Sequence, residues 1–148
     1  RPLNLASVRI EGDEVSLRAA AASWLNATFA WTGQRAVDAG TWAPWVGKQL
    51  PGRPGSRIYG RLDGEWSRLG AFVDVDATSL TYLDPSNRTV VPARTLVGAG
   101  GSWRLAPGVA LVLEGRNLGD VRSTDVLGYP LPGRSIYAAC EARVGPAP

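Results

Sequence analysis

Apolar and polar residues alternate with a period of two along most of the chain. In residues 23–32, Leu25, Ala27, Phe29 and Trp31 alternate with Trp24, Asn26, Thr28 and Thr32. That period sends successive side chains to opposite faces of an extended strand. Residues 68–78 repeat it, with Leu69, Ala71, Val73, Val75 and Ala77 opposite Arg68, Gly70, Phe72, Asp74, Asp76 and Thr78. Val109, Leu111, Leu113 and Gly115 form one face of residues 109–116. Ile136, Ala138, Cys140, Ala142 and Val144 form one face of residues 135–144. Two further strands are expected. One covers residues 56–63, with Ile58, Gly60 and Leu62 on the apolar side; the other covers residues 95–105, where Gly98, Gly100 and Gly101 leave the phase open. In residues 5–17 the apolar positions change phase, from Val8 and Ile10 to Val15 and Leu17. A bulge near Gly12 and Asp13 would keep one apolar face, and two short strands are the other reading. The pattern predicts an all-β, antiparallel up-and-down chain of about seven strands.

The expected connections run short, long, short, long, short, long: residues 18–22, 33–55, 64–65, 79–94, 106–108 and 118–134. In a meander alternate connections lie at the same end, so all the long loops share one side. Tight turns at one end and long loops at the other are the pattern of outer-membrane barrels. No run approaches the roughly 18 apolar residues of a membrane-spanning helix, but a barrel strand crosses with about 9–11 residues, half of them polar. Trp31 and Trp103 near strand ends, and Trp24 and Trp66 near short turns, suit an aromatic girdle at headgroup level.

Composition narrows the chemistry. The 148 residues include no His and a single Cys, Cys140, so this chain offers no imidazole base, His-paired nucleophile, thiolate metal cage or internal disulfide. Neither a cofactor nor enzymatic activity is expected. The net charge of +3 is scattered, which argues against a nucleic-acid partner. With no Met in the chain, Arg1 is expected to open a processed or excised piece. The polar faces carry Arg57, Arg61, Asp63, Arg68, Asp74, Asp76, Arg104, Glu114, Arg116, Glu141 and Arg143, which suit a wet lumen. Asp74 and Asp76 share a face but stand roughly 6.5–7 Å apart, with no residue marking them as an acid-base pair. Cys140 falls on an apolar face as a small hydrophobe. The long loops hold the better ligand candidates: Arg35, Asp38, Trp42, Trp45 and Lys48 in the first, Tyr82, Asp84, Asn87 and Arg88 in the second, and Tyr129 in the third. Stacking and charge together would grip an amphipathic small molecule.

An ordered series of fragments covers nearly the whole chain. It runs through Asn4-Leu5-Ala6, Ile10-Glu11-Gly12-Asp13-Glu14, Leu50-Pro51-Gly52-Arg53-Pro54 and Val91-Pro92-Ala93-Arg94-Thr95-Leu96-Val97. It continues through Ser102-Trp103-Arg104-Leu105, Arg116-Asn117-Leu118-Gly119-Asp120 and Gly128-Tyr129-Pro130-Leu131-Pro132-Gly133-Arg134-Ser135-Ile136-Tyr137. In order and spacing the series resembles the C-terminal end of a TonB-dependent outer-membrane receptor. Its most specific part is the Asn-Leu-x-Asp step followed by Gly-Tyr-Pro-x-Pro-Gly-Arg. The resemblance implies a transmembrane β-barrel of about 22 strands with a plug in its lumen. Residues 1–144 would form the last third of that wall and residues 145–148 a tail. It further implies the outer membrane of a Gram-negative bacterium, and import with TonB-derived energy. The ligand would be a scarce one caught at extracellular loops: a siderophore-metal chelate, corrinoid or carbohydrate. Implied partners are the remaining barrel strands and the plug domain, in the same precursor or a companion chain, the TonB complex acting through the plug, and outer-membrane lipid. Asn117 and Arg134 recur in the family pattern and are expected to be structural, Asn117 as a hydrogen-bonding turn residue at a strand end and Arg134 as a brace for a loop or a headgroup contact. The chain departs from the family twice. Such proteins usually end on an aromatic residue, where this chain has Val144 before Gly145-Pro146-Ala147-Pro148, and they often carry Phe at the position of Gly119.

Two other readings compete. An autonomous small soluble barrel or sandwich would turn its apolar faces inward around a hydrophobic ligand. An enzyme would need clustered carboxylates with perturbed pKa values. The receptor reading requires Val73, Leu111 and Ile136 to face away from the centre, and Asp74 and Glu114 to face toward it.

Overall fold

A computed structural model describes residues 7–126 and 129–142. The strands in chain order are β1 (Val8–Ala22), β2 (Leu25–Asp38), β3 (Ser56–Trp66), β4 (Leu69–Thr78), β5 (Thr81–Tyr82), β6 (Val90–Val91), β7 (Arg94–Ala106), β8 (Val109–Arg116), β9 (Thr124–Val126), β10 (Tyr129–Pro130) and β11 (Ser135–Ala142). Seven of them form one antiparallel meander in the order β1-β2-β3-β4-β7-β8-β11. The short pairs β5-β6 and β9-β10 lie within the second and third long loops. No helix among the described residues is long and apolar enough to cross a membrane, which says nothing of strands.

The register assigns every side chain to a face. Leu62, Val73 and Ala99 lie in one cross-strand row, and Phe29, Gly60, Val75 and Val97 in the next. Through Gly101 opposite Leu113 and Leu113 opposite Ala138, the same face continues across β7, β8 and β11. This fixes the phase of β7: Thr95, Val97, Ala99, Gly101 and Trp103 share the apolar face. That face is the open one: Val73 is 40% exposed, Leu111 42% and Ile136 68%. The polar face is the more enclosed one: Asp74 and Asp76 are half-buried while Val73 and Val75, alternating with them, are exposed, and Arg61, Asp74, Asp76, Leu96, Glu114, Arg116 and Tyr137, from five strands, line a hollow of about 470 Å³. Gly100 has a steric role there, since a Cβ at this position would stand 2.6 Å from the Phe72 ring.

A soluble barrel would bury the apolar face, and this sheet does the reverse. Trp24 and Trp66 stack at the short-turn end, with ring centroids 4.4 Å apart, and Trp103 is cross-strand from Leu69 close by. The apolar row from Leu69 to Ala77 has the length of one barrel crossing. The buried apolar residues among those described are Ala36, Leu50 and Val91. All three lie at the long-loop end.

The boundaries differ from expectation at four places. There is no bulge near Gly12 and Asp13: β1 pairs with β2 in unbroken register from Val8 to Ala20, and the shift falls between Ala20 and Ala22. The change of phase is a change in the composition of one continuous face instead. Val15 and Leu17 lie opposite Trp31 and Phe29 on the apolar face, whereas Arg9, Glu11 and Asp13, further along that face, are polar. Residues 18–22 belong to β1, leaving Ser23 and Trp24 as the turn. Gly64 and Glu65 belong to β3, and the turn is Ser67 and Arg68, with Ser67 at φ 46°. β2 continues to Asp38, so Arg35 and Asp38 stand on a strand rather than in a loop.

Candidate functional site

The first two long loops, residues 39–55 and 79–93, are joined into one body. Gln49 is the centre of the join. Its backbone N–H donates to Asn87 Oδ1 at 2.9 Å, and Asn87 Nδ2 donates back to its carbonyl at 2.8 Å. The Asn87 amide thus imitates a strand neighbour, and its φ of 56° is one that Asn tolerates better than most residues. Val37 forms a bridge with Gln49, the Leu50 N–H donates to the Ala36 carbonyl, and the Gly52 N–H donates to the Tyr82 carbonyl at 2.8 Å.

Asp84 organises the second loop, with its carboxylate accepting from the backbone N–H groups of Thr89, Arg88 and Ser86. Those donors, Thr89 foremost, hold the Asp84 carboxyl below its ordinary value. A depressed carboxylate supports the folded loop at pH values above the usual carboxyl range near 4 and loses that support as pH falls through its lowered value. Amide protection factors at Ser86, Arg88 and Thr89, which are corrected for the intrinsic pH dependence of exchange, are therefore expected to be unchanged from neutral pH to about pH 5 and to fall below about pH 4. An equal fall in protection in an Asp84→Asn variant and the parent would contradict this assignment.

In the third loop the two halves of the family-like motif meet. Asn117 is 8% exposed, with φ 49°. Its Nδ2 donates to the carbonyls of Val121 at 3.0 Å and Pro132 at 3.1 Å, and its Oδ1 accepts the Val121 N–H at 2.9 Å. Asp120 Oδ1 accepts the Arg134 N–H at 2.9 Å, and this bond, with Arg122 alongside, lowers the Asp120 pKa. A Cβ at Gly133 would stand 2.5 Å from that same Asp120 oxygen, which explains the glycine before Arg134. Arg134 therefore braces the loop through its backbone. Arg94, at the start of β7, latches the loop to its neighbour by donating to Asp125 at 2.6 Å and Ser123 at 3.2 Å.

The proposed ligand residues divide into two groups. Asp38 is buried and caps the Gly40 N–H at 2.8 Å, so it is committed to the loop start. Asn87 is committed to Gln49, and Tyr82 is half-buried with its carbonyl bound to Gly52. Arg35 stands on β2 cross-strand from Glu11, on the outward face. Trp42 and Trp45 form a tilted pair with ring centroids 6.2 Å apart, and Trp42 is 63% exposed. Arg88 is exposed beside the Gln49–Asn87 join, and Tyr129 is exposed on the third loop. The structural roles of Gln49 and Arg94 are not legible in local sequence, whereas Asp84-Pro85-Ser86-Asn87 carries the composition of a side-chain-capped turn.

The polar wall offers no carboxylate pair. Asp76 pairs with Arg57. Asp74 lies 3.9 Å from Arg61, which also pairs with Asp63 at 2.7 Å and sits 3.8 Å over the Phe72 ring. Glu114 pairs with Arg116. Among the described residues no cluster of His, Cys, Asp and Glu could hold a metal ion.

No family model matches the chain, and no curated protein matches it in sequence. Solved structures do match in fold. The siderophore receptor PiuA from Acinetobacter baumannii superposes with a TM-score of 0.82 at 18% identity, over 91% of this chain and 22% of that one. The ferric yersiniabactin uptake receptor FyuA from Yersinia pestis gives 0.76 at 18% identity, over 90% and 21%. The copper transporter OprC gives 0.75 at 16% identity, over 91% and 23%. The chain spans about a fifth of the length of these proteins. Its seven-strand meander has the fold of a segment of such a receptor barrel wall.

Proposed function

We propose that the chain is the C-terminal part of the barrel wall of a TonB-dependent outer-membrane receptor of a Gram-negative bacterium, importing a metal chelate. The observation that carries this reading is the exposed apolar face opposite a more enclosed polar face, with every long loop at one end. Lipid rewards that arrangement and bulk water penalises it. Likeness in fold to siderophore receptors and a copper transporter supports the cargo class. In this reading residues 1–144 belong to the wall and residues 145–148 to a tail. The loops between β2 and β3, β4 and β7, and β8 and β11 face outward from the cell and catch the ligand. Trp42, Arg88 and Tyr129 are the residues best exposed for that contact, with the half-buried Trp45 beside Trp42 and Arg35 at the rim. The internally paired charges of the polar wall suit a wet lumen that holds a plug, through which TonB acts. β1 and β11, each paired on one side among the described residues, continue the ladder with the remaining strands.

Site-specific labelling of the full-length receptor tests the reading. In a Cys140→Ala background, cysteine placed at Ala43 is expected to react with an impermeant maleimide on intact cells. Cysteine placed at Pro107, in a short turn, is expected to react only after the outer membrane is permeabilised. Iron uptake by the same cells should fall to background when TonB is deleted. Labelling of both positions on intact cells, or uptake independent of TonB, would overturn the reading.

A further inference from the structure

The apolar face is uneven. Across β4, β7, β8 and β11 one row reads Leu69, Trp103, Leu111 and Cys140, and the next row toward the loops reads Ala71, Gly101, Leu113 and Ala138. Gly101, Ala138 and Cys140 are low ground beside the bulkier Trp103, Leu111 and Leu113, and these six line a hollow of about 630 Å³. It lies at the short-turn end of the sheet. Polar groups meet that end of the hollow. Trp103 is 53% exposed, and its indole N–H makes no hydrogen bond among the described residues. Just beyond it the β3–β4 turn places Arg68 and Arg104 side by side. The Arg104 N–H donates to the Arg68 carbonyl at 2.9 Å, and the Arg104 guanidinium donates to the Ser67 carbonyl. Both arginines are exposed, and neither forms an ion pair among the described residues.

We propose that the hollow holds one acyl chain of a phospholipid whose phosphate is bound by Trp103 and the arginines of the turn. The proposal rests on the receptor reading and picks out one lipid position on a face that reading leaves uniform. In a bilayer a lipid tail gains no hydrophobic energy by exchanging one apolar contact for another. Packing makes the difference: an unfilled hollow forfeits dispersion contacts along its lining, and a flexible alkyl chain restores them. The headgroup end adds an indole donor at the depth where amphipathic rings sit, and cations that complement phosphate. Depth selects the source. Lipopolysaccharide also joins phosphate to acyl chains, but it fills the leaflet on the loop side, and the hollow lies at the other end.

The test places the full-length receptor and its variants in vesicles of phosphatidylethanolamine and phosphatidylglycerol. A trace of the phosphatidylethanolamine carries a photoactivated diazirine in one acyl chain, and labelled residues are mapped by mass spectrometry. In the parent, label on the lining of the hollow should exceed label on Ile58 and Ile136, which stand exposed on the same face, by about tenfold. Ala138→Leu fills the hollow with an apolar side chain and should remove that excess. Cys140→Leu, filling the same space, should repeat the result. Trp103→Phe keeps a ring but removes the N–H, and should lower the label about fivefold, the weight of one hydrogen bond. Even labelling of the whole face in the parent, or label unchanged in the filled variants or in Trp103→Phe, would overturn the proposal and leave the receptor standing. So would cross-linking of the hollow to a second copy of the receptor, or label displaced by lipopolysaccharide but not by unlabelled phospholipid. No label anywhere on this face would remove the receptor reading as well.

Discussion

Val73→Arg is expected to cost about 2–4 kcal/mol of folding free energy in lipid vesicles, whereas Ala30→Arg should cost less than about 1 kcal/mol. Val73 is midway along the apolar row of β4, cross-strand from Leu62 and Ala99, with its side chain on the open face. A guanidinium there must be placed in hydrocarbon or must drag water and headgroups to itself. Ala30 lies on the polar face between Ser16 and Tyr59, where a long cation can reach water. The effect should also depend on depth. Leu69→Arg, level with Trp103 at the short-turn end, is expected to cost no more than about 1 kcal/mol. Urea titration of the full-length receptor in vesicles measures all three. A soluble barrel predicts the opposite order, with Val73 tolerant and Ala30 intolerant, so a reversed ranking would exclude a lipid-facing role for the Val73 face.

That face was readable from sequence because period two is a local property. Once Leu69, Ala71, Val73 and Val75 alternate with polar groups, the pleat does the rest. The phase of β7 was not readable, because its glycines carry no side chain to assign; pairing with β4 settles it by placing Trp103 opposite Leu69. The first strand misled for a physical reason. Its odd-numbered face is polar at Arg9, Glu11 and Asp13 and apolar at Val15 and Leu17, so Val8 and Ile10 looked out of phase without any bulge. The loops were harder still. Arg35 and Asp38 looked like loop residues, but backbone bonds extend β2 to them. Asn87 looked like a ligand group, but it closes on Gln49, a partner 38 residues away in sequence. Exposed residues such as Trp42 and Arg88 remained candidates because the fold asks less of their side chains.

Asn117→Ala is expected to release the third loop while leaving the sheet intact. The substitution removes one acceptor and two donor contacts from a nearly buried site, leaving the Val121 N–H and the Val121 and Pro132 carbonyls short of partners. Each stranded buried group costs about 1–3 kcal/mol. The φ of 49° adds roughly 1–2 kcal/mol for alanine. These costs fall on residues 117–134, since β8 and β11 pair directly from Arg116 opposite Ser135 onward. The measurable consequence is exposure of Arg122 to trypsin. Cleavage there should accelerate by at least about tenfold, the factor that 1.4 kcal/mol supplies, with no change in the urea midpoint of the barrel. Asn117→Gly separates the causes, because glycine accepts the positive φ but offers no amide. An intermediate rate for Gly would apportion the effect between hydrogen bonds and backbone conformation. A Gly variant as protected as the parent would assign all of it to φ, and an Ala variant as protected as the parent would remove Asn117 as the organiser. Leu131, Pro132 and Gly133 overhang the hollow lined by Asp74, Glu114 and Arg116, so loosening this loop also unroofs the polar wall.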